Sequence, residues 1–399
     1  MGKPRLLVLA STYPARPGDG IPSFVRDLAL GMTEAFDVEV LVPAVPGGAR
    51  HEHDGELRVT RFRFFWRRRE DLADGAILEN LRARRSRLLQ VPFLLVAEYR
   101  AVRRAVRRQR PDLIHAHWII PQGLVARLAT RRIPTVVTTL GGDLYALRSG
   151  LARRLKSRVV RSAAAVTVMN DEMGAMVIAL GADPARVSVM PMGFDLSAFS
   201  APARRPDPAA VRLLFVGRLV EKKGLATLLT ALREDPPGAP WRLTVVGDGP
   251  LRPELERVAK GLPVAFVGQR GREKLAEAYA DADVVIFPSV RSATGDQDGL
   301  PVALLEAMGS ACAVIASDLP GLNSAVVDDE TGLLVPSGDA DELARAIDRL
   351  ARDPDERRRL AAGAASRAKQ FDVATVAKGY RDLLLRVARD TAAPTPQGR

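Results

Sequence analysis

The sequence predicts an α/β protein built as two Rossmann-like, doubly wound parallel-sheet domains facing each other across a cleft. Three observations predict it. Short apolar runs recur along both halves, separated by segments of helical period, which is the rhythm of βαβ units. At 399 residues the chain is long enough for two cores of ordinary size. A Pro- and Ala-rich stretch of mixed charge, SAPARRPDPAA at 200–210, lies near its middle and reads as a linker.

Taken in order, the first half offers strands at LLVLA (6–10), VEVLV (38–42), LIHAH (113–117), TVVTT (135–139), AVTVM (165–169) and VSVMP (187–191). Segments such as FVRDLALGM and LARRLKSRVV supply the helices between them. The stretch from Leu78 to Gln109 is helical in pattern, and Pro92 inside it predicts a break near Val91. The second half repeats the rhythm with RLLFVG, RLTVVG, VAFVG, DVVIFPS, AVIAS and GLLVP. A last helical pattern, Val373–Arg389, sets Val373, Val376, Tyr380, Leu383, Leu384 and Val387 on one face. The division expected is 1–199, 200–370, a terminal helix over 371–390 and a tail over 391–399.

Composition narrows the class. Apolar residues make up 47% and charged residues 27%, as in globular proteins. The single Cys312, in the buried-strand pattern ACAVIAS, excludes an internal disulfide and reads as a small core residue. LLVLA is too short for an export signal, and runs such as PFLLVA (92–97) fall far below the ~20 residues that span a bilayer. A cytoplasmic protein is expected. The net charge of +12 is uneven. Residues 1–200 hold 31 Lys and Arg against 19 Asp and Glu, whereas the remainder is balanced at 28 against 28. Much of the excess lies in 61–110, where Phe62–Arg69 interleaves arginine with aromatics. That stretch is either a solvated basic face or a surface for anionic lipid at the inner membrane face. A pI near 10.3 raises nucleic-acid binding, but no motif for it is present and none is expected as a partner.

Two segments carry the chemistry. RLLFVGRLVEKKG (212–224) runs an apolar strand into a turn that sets Arg218, Lys222 and Lys223 at the carboxyl end of a strand, beside a helix N-terminus. Ligands bind at that edge of an open α/β sheet, and fixed cations beside free N–H groups suit a diphosphate. DGLPVALLE (298–306) sets Asp298 before a Gly-Leu-Pro turn and Glu306 within the helix that follows. Cations for a pyrophosphate and carboxylates for sugar hydroxyls together suggest a nucleotide-sugar site.

With these segments the chain resembles the family 4 retaining glycosyltransferases (glycosyltransferase group 1), which have the two-domain GT-B fold. GDGIPSFVRDLA (18–29), IHAHWIIPQG (114–123), TLGGD (139–143), VSVMPMGFD (187–195), FVGRLVEKKG (215–224), VVGDGP (245–250) and DGLPVALLEAM (298–308) follow in the family's order. The resemblance implies a sugar moved from a nucleotide-diphosphate donor, UDP- or GDP-linked, to the hydroxyl of an acceptor sugar, lipid-linked sugar or small molecule. It implies pyrophosphate contacts from Arg218 and Lys223, and a glycine loop, including Gly20, close to the diphosphate. It also implies contacts from Gly299 and Leu300, ribose hydroxyls on Glu306, the transferred sugar near Asp298, and His117 reaching donor sugar or acceptor. The terminal helix is implied to cross back to the first domain. Asp298 stands where the family usually has Glu, one methylene shorter, and Asp296 competes for its role. Glu306 has a structural alternative, as a carboxylate tying down a neighbouring loop.

His115 and His117 share a strand and are read as facing opposite ways, which excludes a metal pair. His115 is assigned to packing and His117 to the cleft. Asp143, ending another strand at the same edge, is placed at the cleft or acceptor, although Gly141-Gly142 stands where the family often has His-Gly. No Asp-x-Asp motif suits a metal, since Asp281-Ala282-Asp283 reads as a helix-to-strand connection, so no metal or other cofactor is expected. A nucleotide-sugar isomerase or epimerase of the same fold is the alternative.

Overall fold

The computed structural model describes residues 2–392 apart from 16–20, 22, 67–69, 76, 78–79, 82–83, 146–148, 200–209 and 294. Gly20, Arg67–Arg69 and the linker segment 200–209 lie outside the described residues. Contacts divide the chain into two compact units, Met1–Gly193 with Val373–Arg399, and Phe194–Asp372.

The first unit holds an eight-stranded sheet: β1 (Arg5–Leu9), β2 (Asp37–Pro43), β3 (His51–Asp54), β4 (Leu57–Phe62), β5 (Leu113–His117), β6 (Thr135–Thr138), β7 (Ala165–Val168) and β8 (Val187–Val189). The order is β3-β4-β2-β1-β5-β6-β7-β8. All pairs are parallel except β3–β4. The central strands read as near-continuous apolar runs because helices cover both faces, so alternation is not required of them. The β3–β4 hairpin is absent from the sequence expectation. Its signal was present, an Asp54-Gly55 turn followed by the alternating LRVTRF, but the flanking polar residues hid it. The expected break near Val91 takes the form of a 3-10 turn, Arg85–Leu89, giving way to the Gln90–Gln109 helix, with Pro92 in its first turn where a missing N–H costs little.

The terminal helix, Val373–Ala392, packs within the first unit, laid against the Phe24–Met32 helix. Tyr380 lies on its buried face; the hydroxyl donates to the carbonyl of Met190 at 2.8 Å and the ring lies 5.6 Å from that of His115. Gly31 and Ala377 show how closely the helices approach, because a Cβ on Gly31 would stand 2.4 Å from that of Ala377.

The second unit is a six-stranded, wholly parallel sheet: β9 (Val211–Val216), β10 (Trp241–Val246), β11 (Val264–Gly268), β12 (Val284–Phe287), β13 (Ala313–Ser317) and β14 (Leu333–Val335), ordered β11-β10-β9-β12-β13-β14. Apolar clusters fill both faces, and Cys312 is buried in one of them. Arg212 at the start of β9 is clamped to Asp283, just before β12, by two guanidinium bonds of 3.0 Å. The Asp281-Ala282-Asp283 segment is thus a connection, as its sequence suggests. In each sheet the strand order reverses once, between β1 and β5 and between β9 and β12. Such switch points open a crevice at the strands' carboxyl ends.

Candidate functional site

At the second unit's switch point, β9 leads through Gly217 into Arg218, and a short turn carries Lys222 and Lys223. Gly224 closes that turn with φ of 67°, in the left-handed region. A Cβ there would lie 1.7 Å from the carbonyl oxygen of Pro288, at the carboxyl end of β12. Only glycine permits the two loops to touch, and that contact brings Lys223 to Asp298. Across the edge, Gly321 leaves room for the backbone of Asp298 and Gly299, whose carbonyl oxygens would lie 2.4 and 2.3 Å from an added Cβ.

The lysines and aspartates form one ionic cluster. Lys223 Nζ donates to Asp298 Oδ2 at 2.9 Å, and Lys222 Nζ stands 3.4 Å from Asp296 Oδ1 and 3.7 Å from Asp298 Oδ1. Ser289 Oγ, one residue past Pro288, adds a bond to Asp298 at 3.2 Å. Asp296 is itself fixed by a reciprocal turn with Ser292. Burial alone would raise the Asp298 carboxyl; Lys223, then Lys222, outweigh it and hold the group below the usual carboxylate range. Asp298 is therefore ionised, and both Asp296 and Asp298 sit among the lysines. Arg218 is half-buried on the same loop, Gly299 is buried and Leu300 packs on the core.

Glu306 lies on the Val302–Gly309 helix, which Pro301 caps. Its Oε2 accepts from Tyr279 Oη at 3.1 Å. Burial pushes the carboxyl up to about 7, against the opposing effects of Tyr279 and Arg272. Arg272 is held in turn by Asp195 at 2.7 Å. Ser289 and Tyr279 are not among the residues expected from the sequence. Ser289, a polar residue closing an apolar strand, could have been read; Tyr279 carries no local signal, because its partner lies 27 residues away.

The first unit's carboxyl edge is built differently. His115 and His117 face the same way, with ring centroids 4.3 Å apart. The expectation of opposite faces was wrong, since side chains two residues apart on a strand share a face. Both are buried; His115 Nε2 bonds Thr138 Oγ1 at 2.7 Å, while His117 Nδ1 is buried with no hydrogen-bond partner. Burial depresses the His115 ring to about 3 and the His117 ring well below its usual value, the latter with help from His115, so both are neutral at pH 7. After β5 the backbone turns sharply: Trp118 has φ of 78°, a conformation rare for a bulky residue and a marker of strain. Asp143 is buried on the short helix Gly142–Tyr145 that follows β6, not at the strand's end as expected, and accepts from the Ile119 N–H at 2.5 Å and from Thr139 Oγ1 at 2.7 Å. It ties the β5 loop to the β6 loop, with both oxygens engaged. Gly20 lies outside the described residues. Among the described residues, no group of three or more His, Cys, Asp or Glu side chains could hold a metal ion.

Two family profiles match: "Glycosyl transferase 4-like domain" over residues 19–193 and "Glycosyl transferases group 1" over 210–353. The chain is 31% identical over 323 residues to D-inositol 3-phosphate glycosyltransferase of Rhodococcus erythropolis, covering 72% of each chain. It is 29% identical over 315 residues to glycogen synthase of Mycobacterium tuberculosis, covering 73% of this chain and 72% of that one. A shorter match, 34% over 179 residues and 44% of each chain, is to the amylovoran biosynthesis glycosyltransferase AmsK of Erwinia amylovora. In fold it is similar to sucrose-phosphate synthase from Thermosynechococcus elongatus, with TM-score 0.79, 22% identity, and 97% and 100% of the two chains covered. It is also similar to Anabaena HepE in complex with UDP-glucose, with TM-score 0.70, 20% identity, and 96% and 99% covered.

Proposed function

Because this chain belongs to the group 1 glycosyltransferases and has their two parallel-sheet domains, we propose that the Lys222–Lys223–Asp298 cluster is where it holds the diphosphate of a nucleotide sugar. The protein is a glycosyltransferase, and its transferase relatives do not favour the isomerase alternative. The observation that carries the reading is the cluster's place at the β9/β12 switch point, where Arg218 and the lysines surround the crevice expected to receive a ligand.

In this reading Arg218 and Lys223 bind the pyrophosphate and stabilise its charge as it leaves. Lys223 has three donors and gives one to Asp298, so two remain for phosphate oxygens. Asp298 holds Lys223 in place and lends negative charge near the anomeric carbon; Glu306 receives the ribose hydroxyls. The incoming hydroxyl attacks from the face the diphosphate leaves, and a phosphate oxygen takes its proton, so the anomeric configuration is retained. His117, neutral and with an orphaned Nδ1, gives or accepts one hydrogen bond at the first unit's edge, where the acceptor is assigned. Gly299 and Leu300 complete the donor contacts of the second unit. The cations take the place of a metal. The donor is UDP- or GDP-linked, as UDP-glucose is in the HepE complex, and the acceptor is a sugar, a lipid-linked sugar or a small molecule. The basic first half meets an anionic membrane surface.

Incubation with a panel of labelled UDP-, GDP- and ADP-sugars tests this. One donor class should be bound and slowly hydrolysed, or transferred to added acceptor with retention. Absence of binding to every nucleotide diphosphate would remove the proposed role of the cluster.

A further inference from the structure

Of the nine exposed large apolar side chains among the described residues, five fall on one patch: Trp66, Leu88, Leu89, Phe93 and Val96. Trp66 and Leu89 are 69% and 70% exposed. Exposed apolar residues scattered singly need no explanation, but a contiguous group does. This one is contiguous. Leu89, Phe93 and Val96 follow at helical spacing along the Gln90–Gln109 helix and the turn before it. The loop after β4 joins them, since the Phe65 ring centroid stands 4.6 Å from that of Trp66 and 5.4 Å from that of Phe93.

The helix changes character along this same face. Val96 is followed at i+4 by Arg100, and that by Arg104 and Arg107, all exposed. Arg84 and Arg85 are exposed just before the helix. None of these five makes an ion pair among the described residues. By contrast, Arg63, Arg87 and Arg108 in the same region are tied to Glu70, Asp71 and Glu39. The chain's whole positive excess lies in this half. The patch also has a defined place: β4 is parallel to its neighbour β2, so Trp66, four residues beyond Phe62, lies at the carboxyl edge of the sheet, the edge that carries His117 and Trp118.

We propose that Trp66, Leu88, Leu89, Phe93 and Val96 seat in the headgroup region of a bilayer, with Arg84, Arg85 and Arg100 on the phosphates of anionic lipids. Tryptophan and leucine flanked by arginine suit the boundary between acyl chains and headgroups, and no helix among the described residues is long and apolar enough to cross a membrane. Charge decides for lipid over a second copy of the chain: two copies meeting through this patch would bring their unpaired arginines together. Docking there brings the acceptor edge to the membrane, so the acceptor hydroxyl is presented by a lipid-linked molecule. The inference deepens the membrane part of the reading above and does not depend on the donor chemistry.

The test is sedimentation with vesicles of phosphatidylglycerol or phosphatidylcholine, run beside donor binding. The protein should pellet with the anionic vesicles, release as salt rises, and show a blue shift in tryptophan emission that Trp66→Phe removes. Replacing Arg84, Arg85 and Arg100 by Gln should weaken partitioning roughly fivefold for each arginine. Leu89→Ser with Phe93→Ser should abolish the blue shift while donor binding and thermal melting stay as in the parent. Equal recovery with both vesicle types, or none with either, would overturn the proposal. So would a concentration-dependent dimer that the double serine variant dissolves, because the patch would then belong to a second copy. Loss of donor binding in the parent would instead count against the nucleotide-sugar reading alone.

Discussion

At the carboxyl edge of the second unit's sheet, two lysines and two aspartates stand in one ionic cluster, ordered by backbone contacts that only Gly224 and Gly321 permit. At the same edge of the first unit the ionisable groups are put away: the histidines are buried and neutral, and Asp143 is spent on Ile119 and Thr139. What the first unit exposes near that edge is apolar and cationic, the Trp66–Phe93 patch. Among the described residues, similar topologies have thus produced one edge with a paired ionic cluster and another whose histidines and Asp143 are buried. Under the proposed function the difference divides the labour: one unit would meet the highly charged part of a donor and the other an acceptor through shape and a few neutral hydrogen bonds.

The largest expected effect would break that comparison outright. Lys223→Ala and Arg218→Ala should each lower kcat/KM by roughly 10²–10³, the cost of one preorganised contact to developing charge. Equivalent truncation of Asp143 in the first unit should act mainly on melting temperature, because it removes a tie between two loops. If Lys223→Ala turns over normally, the cluster is a structural ion pair and the contrast between the edges has no bearing on catalysis.

Asp298 sharpens the comparison next. Asp298→Asn keeps the shape but leaves Lys222 and Lys223 short of a counter-charge, and most of the activity should go. Asp298→Glu restores the family's usual residue and should retain activity or raise it. Parental activity in the Asn variant would pass the role to Asp296, which already lies 3.4 Å from Lys222.

A smaller effect concerns the first unit's interior. Glu98, on the Gln90–Gln109 helix, is fully buried, and burial, only partly opposed by the neighbouring Gln122 side chain, raises its carboxyl from 4.5 to about 8. Between those values the folded chain keeps a proton that the unfolded chain has lost, so stability falls as pH rises through this window. Glu98→Gln should flatten that fall in chemical-denaturation curves at pH 5 and pH 8. Glu306, raised to about 7, adds a slope of the same sign, so the flattening should be partial. An unchanged slope would mean that Glu98 is ionised and paired in solution.

The smallest effect expected is none. Excess EDTA should leave transfer intact if Arg218 and the lysines neutralise the diphosphate. Loss of activity restored by Mg²⁺ or Mn²⁺ would end that account.

Much of this protein was determined by local sequence. The twelve apolar runs named as strands all lie on strands of the structure; the central ones are covered on both faces and so must be apolar throughout, while the edge strands β8 and β11 are only partly buried. Arg218, Lys222 and Lys223 could be placed at a strand's carboxyl end because Gly217 and Gly224 mark the turn. Tertiary structure decided which of these groups meet. Lys223 and Asp298 are 75 residues apart and Tyr279 and Glu306 are 27 apart, so no periodicity links them. The strand order that creates the β9/β12 crevice is likewise a matter of non-local pairing. The β3–β4 hairpin is half polar and gains its place by pairing with β2, and the aromatic patch joins a loop to a helix that begins more than twenty residues later. Local sequence determines what a segment can bury, because that depends on its own side chains. Which charges are paired and which apolar groups stay in water depends on partners that folding brings from elsewhere.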